Sequence, residues 1–92
     1  MIRSFKHKGL ERFFTKGSTA GIQNDHKARL EERLQALHTA FSVEDMNIPG
    51  WRLHALKGDR GGQWAINVSG NWRIVFEFEG GHAYVVNYED YH

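Results

Sequence analysis

The chain has no cysteine. A disulfide framework and a thiolate metal site are therefore excluded, which suits a reducing compartment. It has a single proline, Pro49, and neither repeats nor low-complexity stretches. No apolar run approaches the roughly 20 residues needed to span a membrane. The basic start at residues 1–8 is not followed by the apolar segment of a secretory signal. These absences lead to the expectation of a soluble, cytoplasmic protein with no membrane partner. Charge of one sign is also lacking: the formal net charge is +1, so no bulk excess announces a nucleic-acid binder.

What is present fits one folded domain covering residues 1–92. A chain of 92 residues has no length for a second core, and 40% hydrophobic with 13% aromatic residues is the composition of a globule rather than a disordered tail. The charges are unevenly placed. Arg3, Lys6, Lys8, Arg12 and Lys16 oppose only Glu11 in the first sixteen residues, and Arg52, Lys57, Arg60 and Arg73 are offset only by Asp59. If both blocks fold onto one face, they make a phosphate-binding surface on a nearly neutral protein; otherwise they are scattered, solvated charges.

The hydrophobic period changes half-way along. Residues 2–5 alternate and predict a short first strand. Leu10, Phe13 and Phe14 have helical spacing and stop at Gly17, predicting a helix from position 7 to 14. Leu30, Leu34, Leu37 and Phe41 form one apolar stripe of a longer helix, which Asn24 or Asp25 could cap. Residues 45–50 end this half. From Trp51 the period is two, predicting strands over 51–56, 64–68, 72–78 and 83–88, with turns at Ser69-Gly70-Asn71 and Gly80-Gly81. Consecutive hairpins make an antiparallel meander whose apolar face only the two helices can cover. The predicted class is α+β, a small curved antiparallel sheet with two helices from the N-terminal half packed on one side.

Alternation also sorts the polar side chains. Arg73 points away from the helices, and His54 shares a face with Arg52, opposite Leu53. The tail, Glu89-Asp90-Tyr91-His92, follows directly from a strand that should be paired, so Asp90, Tyr91 and His92 are expected near His54 and Arg73. Each has a plainer reading. A lone strand histidine is by default structural, Lys57 and Arg60 flank a glycine turn as solvated charges would, and Arg73 could simply pair with Glu77 on its own face. Tyr84 and Tyr88 read as packing residues. His7, His26, His38 and His82 read as surface residues without a role. A divalent site from the two histidines with Glu89 and Asp90 finds little support, because no local ligand pair of the H-E-x-x-H kind exists; no cofactor is expected. Together, however, these groups equip metal-free RNA cleavage: imidazoles that move protons near neutrality, cations for a phosphate, and an aromatic on which a base can stack. RNA supplies its own nucleophile, the 2′-hydroxyl.

Three ordered motifs carry a resemblance: Leu53-His54-x-Leu56-Lys57-Gly58-Asp59-Arg60, Asn71-Trp72-Arg73-Ile74-x-Phe76, and the terminal Asn87-Tyr88-Glu89-Asp90-Tyr91-His92. With the opening Met1-Ile2-x-Ser4-Phe5-x-His7-Lys8-Gly9-Leu10, the sequence resembles the HigB-like branch of the RelE/ParE toxin superfamily over nearly its whole length. The resemblance implies a ribosome-dependent endoribonuclease that cuts mRNA in the A site, beside 16S rRNA, leaving a 2′,3′-cyclic phosphate and a 5′-hydroxyl. It implies a catalytic set of His54, Asp90, Tyr91 and His92, with Lys57 and Arg73 on phosphate; Arg60, beside the same glycine turn, is a further candidate for phosphate binding. It also implies a helix-turn-helix antitoxin partner, through which alone operator DNA is bound. Family members often carry proline where this sequence has Ala55, and proline would stiffen the backbone beside His54. The alternative is a ParE-like gyrase inhibitor, a binder on the same fold that has no use for paired histidines; a third reading is an interaction module without activity.

Overall fold

A computed structural model describes residues 1–91; His92, one of the expected site residues, lies outside them. The helical half is built by capping and apolar spacing. α1 (Lys8–Lys16) starts where His7 Nδ1 accepts the Leu10 N–H at 2.9 Å, satisfying an amide the helix leaves unpaired. It ends at Gly17, whose left-handed φ of 74° lets its N–H reach the Phe13 carbonyl. A 3-10 turn, Asn24–His26, leads into α2 (Lys27–Thr39). Neither Asn24 nor Asp25 caps α2, because His26 already enters it in helical conformation and no extended residue stands at the boundary.

Leu30, Leu34 and Leu37 are buried as their spacing requires, but Phe41 is 90% exposed. α2 stops at Thr39 and Ala40 is extended, so Phe41 leaves the helical period and Ala40 is buried instead. The Phe41 and Ser42 amides turn to the Asp45 carboxylate, at 2.9 and 3.3 Å, opening a short 3-10 turn, Val43–Met46.

The second half is a meander of β1 (His54–Ala55), β2 (Gln63–Ser69), β3 (Trp72–Glu79) and β4 (His82–Asp90), all antiparallel and in chain order across one curved sheet. β1 is shorter than the predicted strand because Arg52 adopts a left-handed φ of 54° that interrupts the extended run. The segment still lies along β2: the Trp51 carbonyl accepts the Asn67 N–H and the Leu56 N–H donates to the Gln63 carbonyl. Residues 2–5 are not a full strand but form two parallel bridges, Ile2 to Ala83 and Phe5 to Val86. They strap the outer edge of β4, which would otherwise present unpaired backbone.

One irregularity decides which β4 side chains face which way. Val75 pairs with Asn87 and Glu77 with Tyr84, so Val85 and Val86 together oppose Phe76. This bulge, with Val85 at a left-handed φ of 46°, changes the parity of the strand. Ala83, Val86 and Tyr88 can then all be buried although strict alternation would divide them.

The core lies between the helices and one side of the sheet: Leu10, Phe13, Leu30, Leu34 and Leu37 meet Ile66, Val68, Ile74, Phe76 and Val86. Burying such side chains contributes roughly 1.5–3 kcal/mol each. Arg33 ties α2 to β2, donating from Nε to the Asn67 carbonyl at 2.7 Å with its guanidinium 4.7 Å from the Trp51 ring. Three of the histidines expected at the surface, His7, His26 and His38, do structural work. His26 is buried, with Nδ1 2.6 Å from the Tyr88 hydroxyl and its ring edge-on to Trp72, because the 3-10 turn before α2 directs it under the sheet's end. His7 caps α1, and His38 Nδ1 accepts the Ile2 N–H. Among the described residues no helix is long and apolar enough to cross a membrane.

Candidate active site

Among the described residues, neither α1 nor α2 packs on the other side of the sheet. Residues paired directly across antiparallel strands share a face, so the register lays that side out in rows. One row is Asn67, Arg73 and Glu89; the next is His54, Ala65, Val75 and Asn87; the third is Gln63, Glu77 and Tyr84. Ala65 and Val75 are buried and form the floor. The residues around them are almost all polar or charged.

His54 is exposed at the rim. Its Nδ1 lies 2.8 Å from the Arg52 carbonyl. A carbonyl only accepts, so Nδ1 carries the proton and the neutral ring keeps its lone pair on Nε2. The left-handed backbone at Arg52 is what turns that carbonyl toward the ring. His54 is therefore oriented through Nδ1 and through its pairing with Ala65, even with Ala55 rather than proline behind it.

At the opposite side of the face, Glu89 collects five N–H donors. Arg60 approaches fork-on through Nη1 and Nη2 at 2.8 and 3.1 Å; Arg73 donates from Nε and Nη2 at 2.9 and 2.7 Å; Asn87 adds Nδ2 at 3.2 Å. The charge-assisted bonds from Arg60 first, then those from Arg73, hold the Glu89 carboxyl below the ordinary carboxylate range, and Arg60 is pushed up in return. Arg73 thus pairs with the residue opposite it on β4 rather than with Glu77 on its own strand. Arg60 is positioned by the 3-10 turn Gly58–Arg60 and by its Nε bond to Gln63 Oε1 at 3.0 Å. Tyr91 continues past β4 with its N–H on the Asn71 carbonyl, and its ring lies 4.0 Å from the Arg73 guanidinium, a cation–π contact.

The expected set is brought together only in part. Arg60, Arg73 and Tyr91 form one cluster, and His54 stands on the same face two strands from Arg73 and one row over, roughly 12 Å of backbone. Lys57 is exposed at the start of the turn that carries Arg60. Asp90 pairs with Trp72, so alternation turns it to the side occupied by Tyr88. Glu89 and Asn87, not in the expected set, are the residues that organise the cluster. Among the described residues no three His, Asp or Glu side chains gather as metal ligands would. A cleft of about 320 Å³ lies away from this face, lined by Phe13, Phe14, Lys27, Glu31 and Leu34 of the helical half.

An uncovered sheet face with a tautomer-fixed histidine, clustered arginines and a terminal tyrosine is the arrangement that the motifs lead one to look for among the RelE-like toxins. The profile of the HigB-like toxin family, RelE-like toxins of type II toxin–antitoxin systems, matches residues 3–92. The chain belongs to this family. It is also 52% identical to endoribonuclease HigB of Proteus vulgaris, over the full 92 residues of both chains. For a HigB-like toxin the α+β meander with helices on one side is the framework expected, and the polar residues of the other side are the place to look for function.

Proposed function

We propose that this toxin is an endoribonuclease that cuts mRNA on the ribosome, in the A site, by metal-independent acid–base chemistry on the open face of the sheet. The observation that carries the reading is the placement of His54, Arg60, Arg73 and Tyr91 on one uncovered surface; the activity named for the 52% identical relative supports it. The lone pair on His54 Nε2 takes the proton of a 2′-hydroxyl, whose oxygen attacks the adjacent phosphorus. Arg73, with Arg60 and Lys57, offsets the charge that builds on the phosphoryl oxygens. The P–O5′ bond breaks, and the departing oxygen takes a proton from the imidazole of His92. The products are a 2′,3′-cyclic phosphate and a 5′-hydroxyl.

Tyr91 is the platform on which a base of the message stacks. Asp90, turned away from Arg73 by the strand parity, acts on the tail rather than on the hydroxyl and orients the terminal imidazole. The toxin works in the cytoplasm, where ribosomes are, and is held in check by a helix-turn-helix antitoxin; operator DNA is met only through that complex.

The test is the chemistry of the ends. Cut message should carry cyclic phosphate and 5′-hydroxyl termini, and His92→Ala should remove both cutting and growth inhibition. Cutting by His92→Ala at the wild-type rate, or products with a 5′-phosphate, contradict the assignment.

A further inference from the structure

Arg73, the cation expected to meet phosphate, is only 11% exposed along its side chain. Tyr91 covers its plane and Glu89 occupies its Nε–Nη2 edge. Both of these N–H groups converge on the single oxygen Oε1, as they can on one oxygen of a phosphate. The same carboxylate takes the Nη1–Nη2 edge of Arg60. Glu89 therefore sits on both arginines where a phosphate group would sit. It also cancels one of their two charges. Glu89 lies on the uncovered face, one position before the end of β4, with Asn87 donating to it from the next row.

Building on the RNA-cleaving reading above, we propose that Glu89 is a positioning residue that stands in for the RNA phosphate. It holds Arg60 and Arg73 in gripping geometry while lowering the attraction of the free protein for RNA backbone. An incoming phosphate displaces the carboxylate from Arg60, the more exposed arginine at 40%, while the bonds from Arg73 Nε and Nη2 keep that guanidinium in place. Exchange of one anion for another is close to balanced, so it proceeds only when the phosphate is already held by other contacts. The face then discriminates against loose RNA in favour of a presented message.

A purely structural Glu89 and a phosphate stand-in differ in sign. The probe is a single-stranded RNA oligonucleotide with methylated 2′-hydroxyls, which cannot be cut, titrated against the full-length protein over a range of salt. Glu89→Gln is expected to bind it more tightly than the wild type. Its slope of log affinity on log salt should steepen by about 0.7, one further phosphate's worth of released counterion, which is about threefold more affinity lost between roughly 50 and 200 mM salt. On ribosomes the same variant should show a lower KM with a lower kcat, since the arginines gain charge but lose their brace. Glu89→Asp keeps the charge and should keep the wild-type slope. Weaker or unchanged binding by Glu89→Gln, including no binding by either protein, overturns the proposal.

Should Glu89→Gln fail to fold, Arg60→Gln reads the same contact from its exposed side. Removing Arg60 leaves the carboxylate wholly to Arg73, so affinity should fall further than in Lys57→Gln; equal losses overturn the proposal. The broader reading fails separately. If Lys57→Gln and Arg73→Gln both bind the probe and cut message as the wild type does, the open face is not the RNA surface at all.

Discussion

The two sides of this sheet are made by the same strands and are chemically opposite. On one, Ile66, Ile74, Phe76 and Val86 are wholly or almost wholly buried against the helices. On the other, at the alternate positions of β3 and β4, stand Arg73, Asn87 and Glu89. The first side supplies nearly all the apolar burial that stabilises the fold. The second has only the floor of Ala65 and Val75 and spends its side chains on charge and hydrogen bonding. Stability and chemistry are thus separated by the pleat, and a substitution should reveal its side by what it damages.

The largest effect on stability belongs to the covered side. Phe76→Ala is expected to cost about 3–5 kcal/mol, a large part of the stability of a domain this size. Denaturant unfolding measures it, and a loss under 1 kcal/mol would mean that the core is not centred on β3. A smaller effect comes from the cap of α1. Burial lowers the His7 pKa, and the neutral ring is the form that accepts the Leu10 amide. Its stabilisation is therefore fully present above the ordinary value of 6.5 and fades as pH falls through the lowered one. His7→Asn, which can cap without titrating, should flatten that part of the pH–stability curve, worth about 1 kcal/mol; an unchanged curve would refute the cap. The smallest effect is at Phe41. Its exposure puts Phe41→Ser within about 0.5 kcal/mol of the wild type, and a larger loss would return Phe41 to the core.

Much of this separation was legible in the sequence. The apolar stripes of α1 and α2 and the alternation in β2 and β3 fix the covered side, and the same alternation places His54 and Arg73 on the other. What escaped was decided by backbone that side-chain patterns do not report. The left-handed turns at Arg52 and Val85 shorten β1 and shift the parity of β4. Early termination of α2 exposes Phe41. Glu89 escaped for another reason: its partners Arg60 and Arg73 are 29 and 16 residues away and meet it only once both hairpins close. The position of Asp90 was more accessible. With Tyr88 inward and Glu89 outward, alternation alone turns Asp90 from Arg73.

His54 gives the most direct test of the claim that the open side performs the chemistry. It is exposed, its ring bonds only to the neighbouring Arg52 carbonyl among the described residues, and its loss should leave unfolding unchanged. Single-turnover cutting of ribosome-bound message by His54→Ala, compared with the wild type, is expected to slow by about a hundredfold to ten-thousandfold with no change in the unfolding midpoint. A cutting rate equal to that of the wild type would contradict the claim.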